Sequence, residues 1–85
     1  MAFPTQPSRF TRADGSPIRV LVVEDEPSLT GLLSMAMRYE GWDVTTANSG
    51  AHAVHEAQAT RPDVIVLDMR LSDFDGLEVM RQIRI

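Results

Sequence analysis

Four carboxylates stand out in this sequence because of what precedes them. Glu24, Asp25 and Glu26 directly follow the apolar run Ile18 to Val23 (IRVLVV), and Asp68 directly follows Val64 to Leu67 (VIVL). Near-continuous β-branched runs of this length read as strands buried on both faces of a parallel sheet. Where two such strands are neighbours, the acids at their carboxyl ends converge on one small volume, and their repulsion is costly without a cation. Mg²⁺ answers that need, because it prefers one or two carboxylates, some waters and a phosphate oxygen to a full protein cage. Such a metal can also neutralise a phosphoryl group while an Asp carboxylate attacks it in line, giving an aspartyl phosphate.

The elements that must position these acids follow in a regular order. Pro27 sits where a helix begins, and Leu29, Leu32, Leu33 and Ala36 follow at i, i+3, i+4 and i+7, the inward stripe expected of that helix. Gly41 is placed to stop it. Trp42 to Thr46 (WDVTT) alternates and is β-rich, so it reads as a short second strand. Asn48 or Ser49 then caps a helix carrying Ala53, Val54 and Ala57 inward, ended by Pro62. After the third strand, Leu77, Met80 and Ile83 or Arg84 outline a third helix. The order βαβαβα implies right-handed crossovers and a parallel sheet with helices on both faces, an α/β fold whose function sits at the carboxyl ends of its strands.

Length and composition bound what else the chain can be. Its 85 residues hold one small domain, and a domain of this size buries only about 60% of the surface its unfolded chain exposes. No apolar run approaches the roughly 18 residues of a membrane span, and Met1 to Pro17 lacks the apolar centre of a secretory signal. These features, with the absence of cysteine, place the chain in the cytoplasm, with no membrane partner. Eight positive residues, all arginine, against twelve acids give a net charge of −4, which argues against direct nucleic-acid binding by this segment. Proline, glycine, serine and threonine interrupt every periodicity before residue 18, so 1–17 reads as a flexible leader and 18–85 as the domain.

Other constellations carry less. His52 and His55 lie at i, i+3 on the second helix with no third ligand near, and read as a solvent-facing surface. Asp73, Asp75 and Gly76 suggest a calcium loop, but its first ligand position falls on Leu71 and its closing acid on Gln82. Met35, Met37 and Met80 read as gap-filling core residues.

The stretch V-L-V-V-E-D-E-P from Val20 to Pro27, the strand V-I-V-L-D ending at Asp68, and M-R-L-S-D-F-D-G through Gly76 resemble the receiver domains of two-component response regulators. The resemblance runs from Ile18 to Ile85, and Leu71 to Leu77, ending in D-G-L, is most similar to the winged-helix (OmpR-like) class of bacterial transcriptional regulators. It implies a flavodoxin-like (CheY-like) doubly wound parallel sheet, here the N-terminal part of a receiver, truncated after about three βα units ordered 2-1-3. It also implies that Asp68 is the phosphoacceptor, served by a sensor histidine kinase and Mg²⁺. Asp25 then matches the acid that binds the metal directly, Glu24 the acid that reaches it through water, and Arg70 the residue whose main-chain carbonyl completes the set. Ser72 departs from the family's usual proline, which should loosen the loop into the third helix.

Complete receivers continue through two more strands and helices that provide a Ser or Thr, a Lys and an aromatic switch residue. This sequence has no lysine and ends at Ile85. The resemblance therefore carries an alternative, a truncated, non-signalling remnant or interaction fragment that lacks the switch residues and the output domain. Its third strand would be an open apolar edge, inviting self-association. A hydrolase of the aspartyl-phosphate type is a weaker alternative, because Arg70 stands where such an enzyme would need a second Asp.

Overall fold

The structure, a computed structural model, describes residues 10–69, 71, 73 and 76–83. Its elements are β1 (Arg19–Val23), α1 (Pro27–Tyr39), β2 (Asp43–Ala47), α2 (Gly50–Thr60), β3 (Val64–Leu67) and α3 (Gly76–Gln82). The three strands form one parallel sheet ordered β2-β1-β3, with Val20 beside Val44 and Val64, and Val23 beside Ala47 and Leu67. The second strand lies one residue later than the sequence pattern suggests.

The alternation of side chains along a strand sorts β1 into two cores. Leu21 and Val23 point to one face, where they join Ala47, Ala53, Ala57, Val79 and Ile83 under α2 and α3. Val20 and Val22 point to the other, against Val44, Leu33, Met37, Trp42 and Val66 under α1. A strand buried on both faces has no polar face to present, which is why Ile18 to Val23 is apolar almost throughout.

The helix boundaries follow local chemistry. Glu26 caps α1 by accepting the Leu29 N–H at 2.9 Å, with Pro27 in the first turn, and Gly41 takes φ 87° just past the helix end. In α2 the Ser49 hydroxyl accepts the His52 N–H at 3.1 Å. Arg61 closes that helix in the left-handed region at φ 49°, ahead of Pro62. Among the described residues no helix is long and apolar enough to cross a membrane.

Two helix faces differ from the sequence expectation. Leu29, Leu32 and Ala36 of α1 are exposed, Leu32 at 64%, and the inward face carries Leu33, Ser34 and Met37. This helix is apolar on nearly every side, so periodicity alone leaves its phase open. What fixes the phase is the Thr30 hydroxyl, which donates to the carbonyls of Glu24 and Glu26 at 3.2 and 3.1 Å, and small Ser34, 3% exposed, which lets the helix lie close to the sheet. In α3, Leu77 and Met80 are exposed, and Gly76, Val79 and Ile83 face inward. Met35 and Met80 are therefore surface residues, whereas Met37 packs in the core as expected.

A third difference lies before β1. Residues 1–9 lie outside the described residues, but 11–17 form an ordered turn where a flexible leader was expected. Thr11 and Pro17 make an antiparallel bridge, and the Arg12 N–H donates to the Ser16 carbonyl at 2.9 Å. Asp14 accepts the Ser16 N–H, and Gly15 turns at φ 85°. Residues that interrupt periodicity can still form an anchored turn. Arg12 reaches across to Asp63.

Candidate functional site

Because β1 and β3 are adjacent and in register, the residues that follow them come out side by side. The Asp68 N–H donates to the Val23 carbonyl at 3.0 Å, and the Glu24 N–H donates to the Ala47 carbonyl at 3.0 Å, so both acids sit on the last rungs of the sheet. One carboxylate oxygen from each of Glu24, Asp25 and Asp68 lies within 4.8 Å of the others. The Thr30 bonds and the Glu26 cap hold the loop that carries the first two acids.

The three carboxylates are in different surroundings. Glu24 is buried, at 8% exposure; Asp68 is partly buried; Asp25 faces solvent. Burial pushes the Glu24 carboxyl above its ordinary range; its bond from the Glu26 N–H at 3.2 Å opposes that, and the nearby Asp68 and Asp25 carboxylates add to the rise. A cation between these groups would relieve both the crowding and the desolvation. Three hard oxygen donors with one side open to water form a set that suits Mg²⁺. A cleft lined by Asp25, Glu26, Leu29, Leu33, Val66 and Asp68 opens beside them.

Glu24, Asp25 and Asp68 thus come together as the sequence reading expected. Arg70 and Ser72 lie outside the described residues. His52 and His55 belong to no metal-binding group among the described residues; both are exposed, and His52 faces Asn48, just before α2, and Glu56 within it. Two contributors were missed. Glu26 was read only as one more acid, although an acid directly before Pro27 is a capping signal. Asp73 accepts the Gly50 and Ala51 N–H groups at 2.7 and 2.9 Å, and no local pattern announces a bond across 22 residues.

A doubly wound sheet in the order 2-1-3, with acids converging at its carboxyl edge, is the architecture of a CheY-like receiver. The chain belongs to the response regulator receiver domain family, whose model matches residues 20–85. It is 57% identical over 76 residues to the transcriptional regulatory protein TrcR of Mycobacterium tuberculosis, covering 89% of this chain and 30% of TrcR. Among solved structures, it resembles the chemotaxis response regulator CheY4 of Vibrio cholerae with a TM-score of 0.78 and 31% identity, over 82% of this chain and 58% of CheY4. It also resembles the response regulator TrrA of Thermotoga maritima in complex with Mg²⁺ and BeF, with a TM-score of 0.74 and 36% identity, over 79% of this chain and 58% of TrrA. The chain thus spans about a third of the regulatory relative and somewhat over half of these two solved structures.

Proposed function

We propose that this chain is the phosphoacceptor part of a two-component response regulator, taking a phosphoryl group on Asp68 from a sensor histidine kinase in the cytoplasm. Mg²⁺ would be held by Glu24, Asp25, Asp68 and the main-chain carbonyl of Arg70. In the longer protein of this family the phosphorylated receiver controls a DNA-binding output. Its own part is that of an acceptor, not of an enzyme.

The observation that carries this reading is the mutual 4.8 Å approach of the three carboxylates at the ends of adjacent strands. Asp68 would attack phosphorus with a carboxylate oxygen as the bond to the donor's imidazole nitrogen breaks, the electron pair leaving with that nitrogen. Glu24 and Asp25 would provide the negative charge that holds the metal, and Asp68 is held by its own N–H bond to the Val23 carbonyl. When bound there, Mg²⁺ would supply charge neutralisation for the phosphoryl oxygens. The likeness to TrrA, solved in complex with Mg²⁺ and BeF, supports Mg²⁺ as the cation here.

The test is labelling with acetyl phosphate, followed by mass spectrometry of the intact chain. Asp68→Asn should abolish labelling by removing the acceptor, and Asp25→Ala should abolish it by removing the metal. Labelling that survives both changes overturns the assignment.

A second reading rests on a different observation. Among the described residues β3 pairs only with β1, and its outer side is apolar, with Val64 47% exposed. A chain that self-associates along this edge, without signalling, is the interaction fragment that the sequence alternative describes.

A further inference from the structure

Glu24 is held at its N–H, its carboxylate and its carbonyl. The N–H donates to the Ala47 carbonyl of β2 at 3.0 Å, the carboxylate accepts the Glu26 N–H at 3.2 Å, and the carbonyl accepts the Thr30 hydroxyl of α1 at 3.2 Å. The same hydroxyl lies 3.1 Å from the Glu26 carbonyl. That second contact is a common one for threonine inside a helix, reaching back four residues, and the Glu26 carbonyl also takes the Thr30 N–H at 3.0 Å. The bond to Glu24 is different, because it reaches past the helix start at Pro27 to the residue that ends β1. Asp25 lies between the two carbonyls, so one side chain of α1 pins the main chain on both sides of it. The third acid is set on the same frame, since the Asp68 N–H donates to the carbonyl of Val23, the residue before Glu24.

From this geometry we propose that Thr30 is a positioning residue for the acidic pocket, and that the frame it completes favours Mg²⁺ over the larger Ca²⁺. The two cations ask different things of the same carboxylates. Mg²⁺ requires near-octahedral oxygens at about 2.0–2.1 Å, whereas Ca²⁺ accepts oxygens at about 2.3–2.6 Å in a flexible arrangement. A segment free to move lets its carboxylates spread to the longer distances, and a segment pinned on both sides of Asp25 resists that. Thr30 touches neither phosphate nor metal in this scheme; it acts through the main chain of Glu24 and Glu26, to which it is bonded directly. The inference rests on the phosphoacceptor reading, which names the cation but not what selects it.

The experiment titrates the full chain and its variants separately with MgCl₂ and CaCl₂, following the Asp25 and Asp68 amide resonances, and measures urea unfolding without metal. The readout is the ratio of the two affinities, which a general loss of stability leaves unchanged. Thr30→Val keeps the shape of the side chain without the donor, and Thr30→Ala removes the donor while favouring the helix, so one remains readable if the other folds poorly. Both should weaken Mg²⁺ binding by about tenfold, the lower end of what loss of an outer-sphere support costs a metal site. Ca²⁺ binding should weaken less, so that the ratio falls. Thr30→Ser keeps the hydroxyl and should keep the parent ratio. Thr60→Val is the control: the Thr60 hydroxyl donates to the Glu56 carbonyl at 2.8 Å at the far end of α2, beside Arg19 at the start of β1, and its loss should lower stability with the ratio unchanged. An unchanged ratio in Thr30→Val and Thr30→Ala, or an equal fall in Thr30→Ser or Thr60→Val, overturns the role of the Thr30 hydroxyl while leaving the acidic pocket intact. Failure of the unmodified chain to bind Mg²⁺ at all overturns the pocket itself, and this inference with it.

Discussion

Gly76 and Met69 lie so close that a β-carbon on the glycine would come within 2.5 Å of the methionine sulfur and 3.0 Å of its Cα. The sulfur can swing away, since Met69 is exposed, but the Cα belongs to the backbone next to Asp68. Gly76→Ala should therefore push the start of the β3–α3 connection outward, at a cost of about 1–2 kcal/mol, in the range of overpacking elsewhere. Urea unfolding would give the loss of stability, and the Asp68 amide resonance should shift with it. An alanine variant as stable as the parent would mean that the close approach is easily relaxed.

Much of this fold was legible in the sequence, for reasons that particular residues make plain. The third strand was read with its observed limits, Val64 to Leu67, because every position is apolar, although only Ile65, Val66 and Leu67 pack against the two cores. Gly41 marked one helix end and the pair Asn48 and Ser49 another, the structure choosing Ser49, through local chemistry that needs no tertiary partner. The convergence of Glu24, Asp25 and Asp68 was legible because strand order and register follow from the βαβ rules. What failed was the phase of α1 and α3. In α1 the apolar residues surround the helix, and the positions that decide its orientation, Thr30 and Ser34, are small and polar. In α3 the inward set Gly76, Val79 and Ile83 competes with an equally periodic Leu77 and Met80. The bonds from Arg12 to Asp63 and from Asp73 to α2 span too much sequence to leave a periodic trace.

Asp63 ties three segments together. It accepts both contacts from the Arg12 guanidinium at 3.0 Å and the Arg19 N–H at 2.9 Å, joining the turn before β1 to the entries of β1 and β3. Arg12→Ala removes a partly exposed ion pair and should cost no more than about 0.5 kcal/mol. Asp63→Ala also leaves the Arg19 N–H without this acceptor and should cost about 1–1.5 kcal/mol. In 1 M salt the Arg12 effect should fade and most of the Asp63 effect should remain. Equal losses for the two variants would mean that the Arg19 bond contributes nothing.

Glu24 sets opposing demands on stability and metal binding. Its carboxyl titrates above the ordinary value of 4.5 because it is buried beside other acids. A raised folded value means that the fold favours the protonated form. Stability without metal should therefore fall as pH rises from about 4.5 through the folded value of this group, and level off above it. Asp14 acts with the opposite sign in a separate window. Its carboxyl is held below 3.8 by the Ser16 hydroxyl and N–H, so its contribution is lost only as pH falls below that value. Glu24→Gln should remove the upper dependence and stabilise the metal-free fold at neutral pH, while weakening Mg²⁺ binding by about tenfold. Denaturant curves between pH 4 and 8, with and without Mg²⁺, would separate the two effects. A variant that is less stable than the parent at pH 7 without metal would contradict the account.

The two edges of the sheet are chemically unlike, and this predicts where one copy of the chain would meet another. The edge strand β2 reads DVTTA, with exposed Asp43 at its start and threonines within, whereas β3 reads VIVL and carries no charge, proline or bulge. Edge strands that avoid association usually carry one of those blocking features. Backbone pairing along β3 would leave its apolar side chains able to meet those of a second copy on both faces of the sheet. The 85-residue chain should therefore sediment with a mass that rises with concentration. Val64→Lys places a charge at an already exposed position and should restore a monomer without unfolding the domain, because Val64 contributes little to either core. Thr45→Lys on the opposite edge should leave the association as it was. If both lysines act alike, general charge repulsion explains the effect and β3 has no special part in it; if neither acts, the chain associates through another surface, such as the exposed leucines of α1.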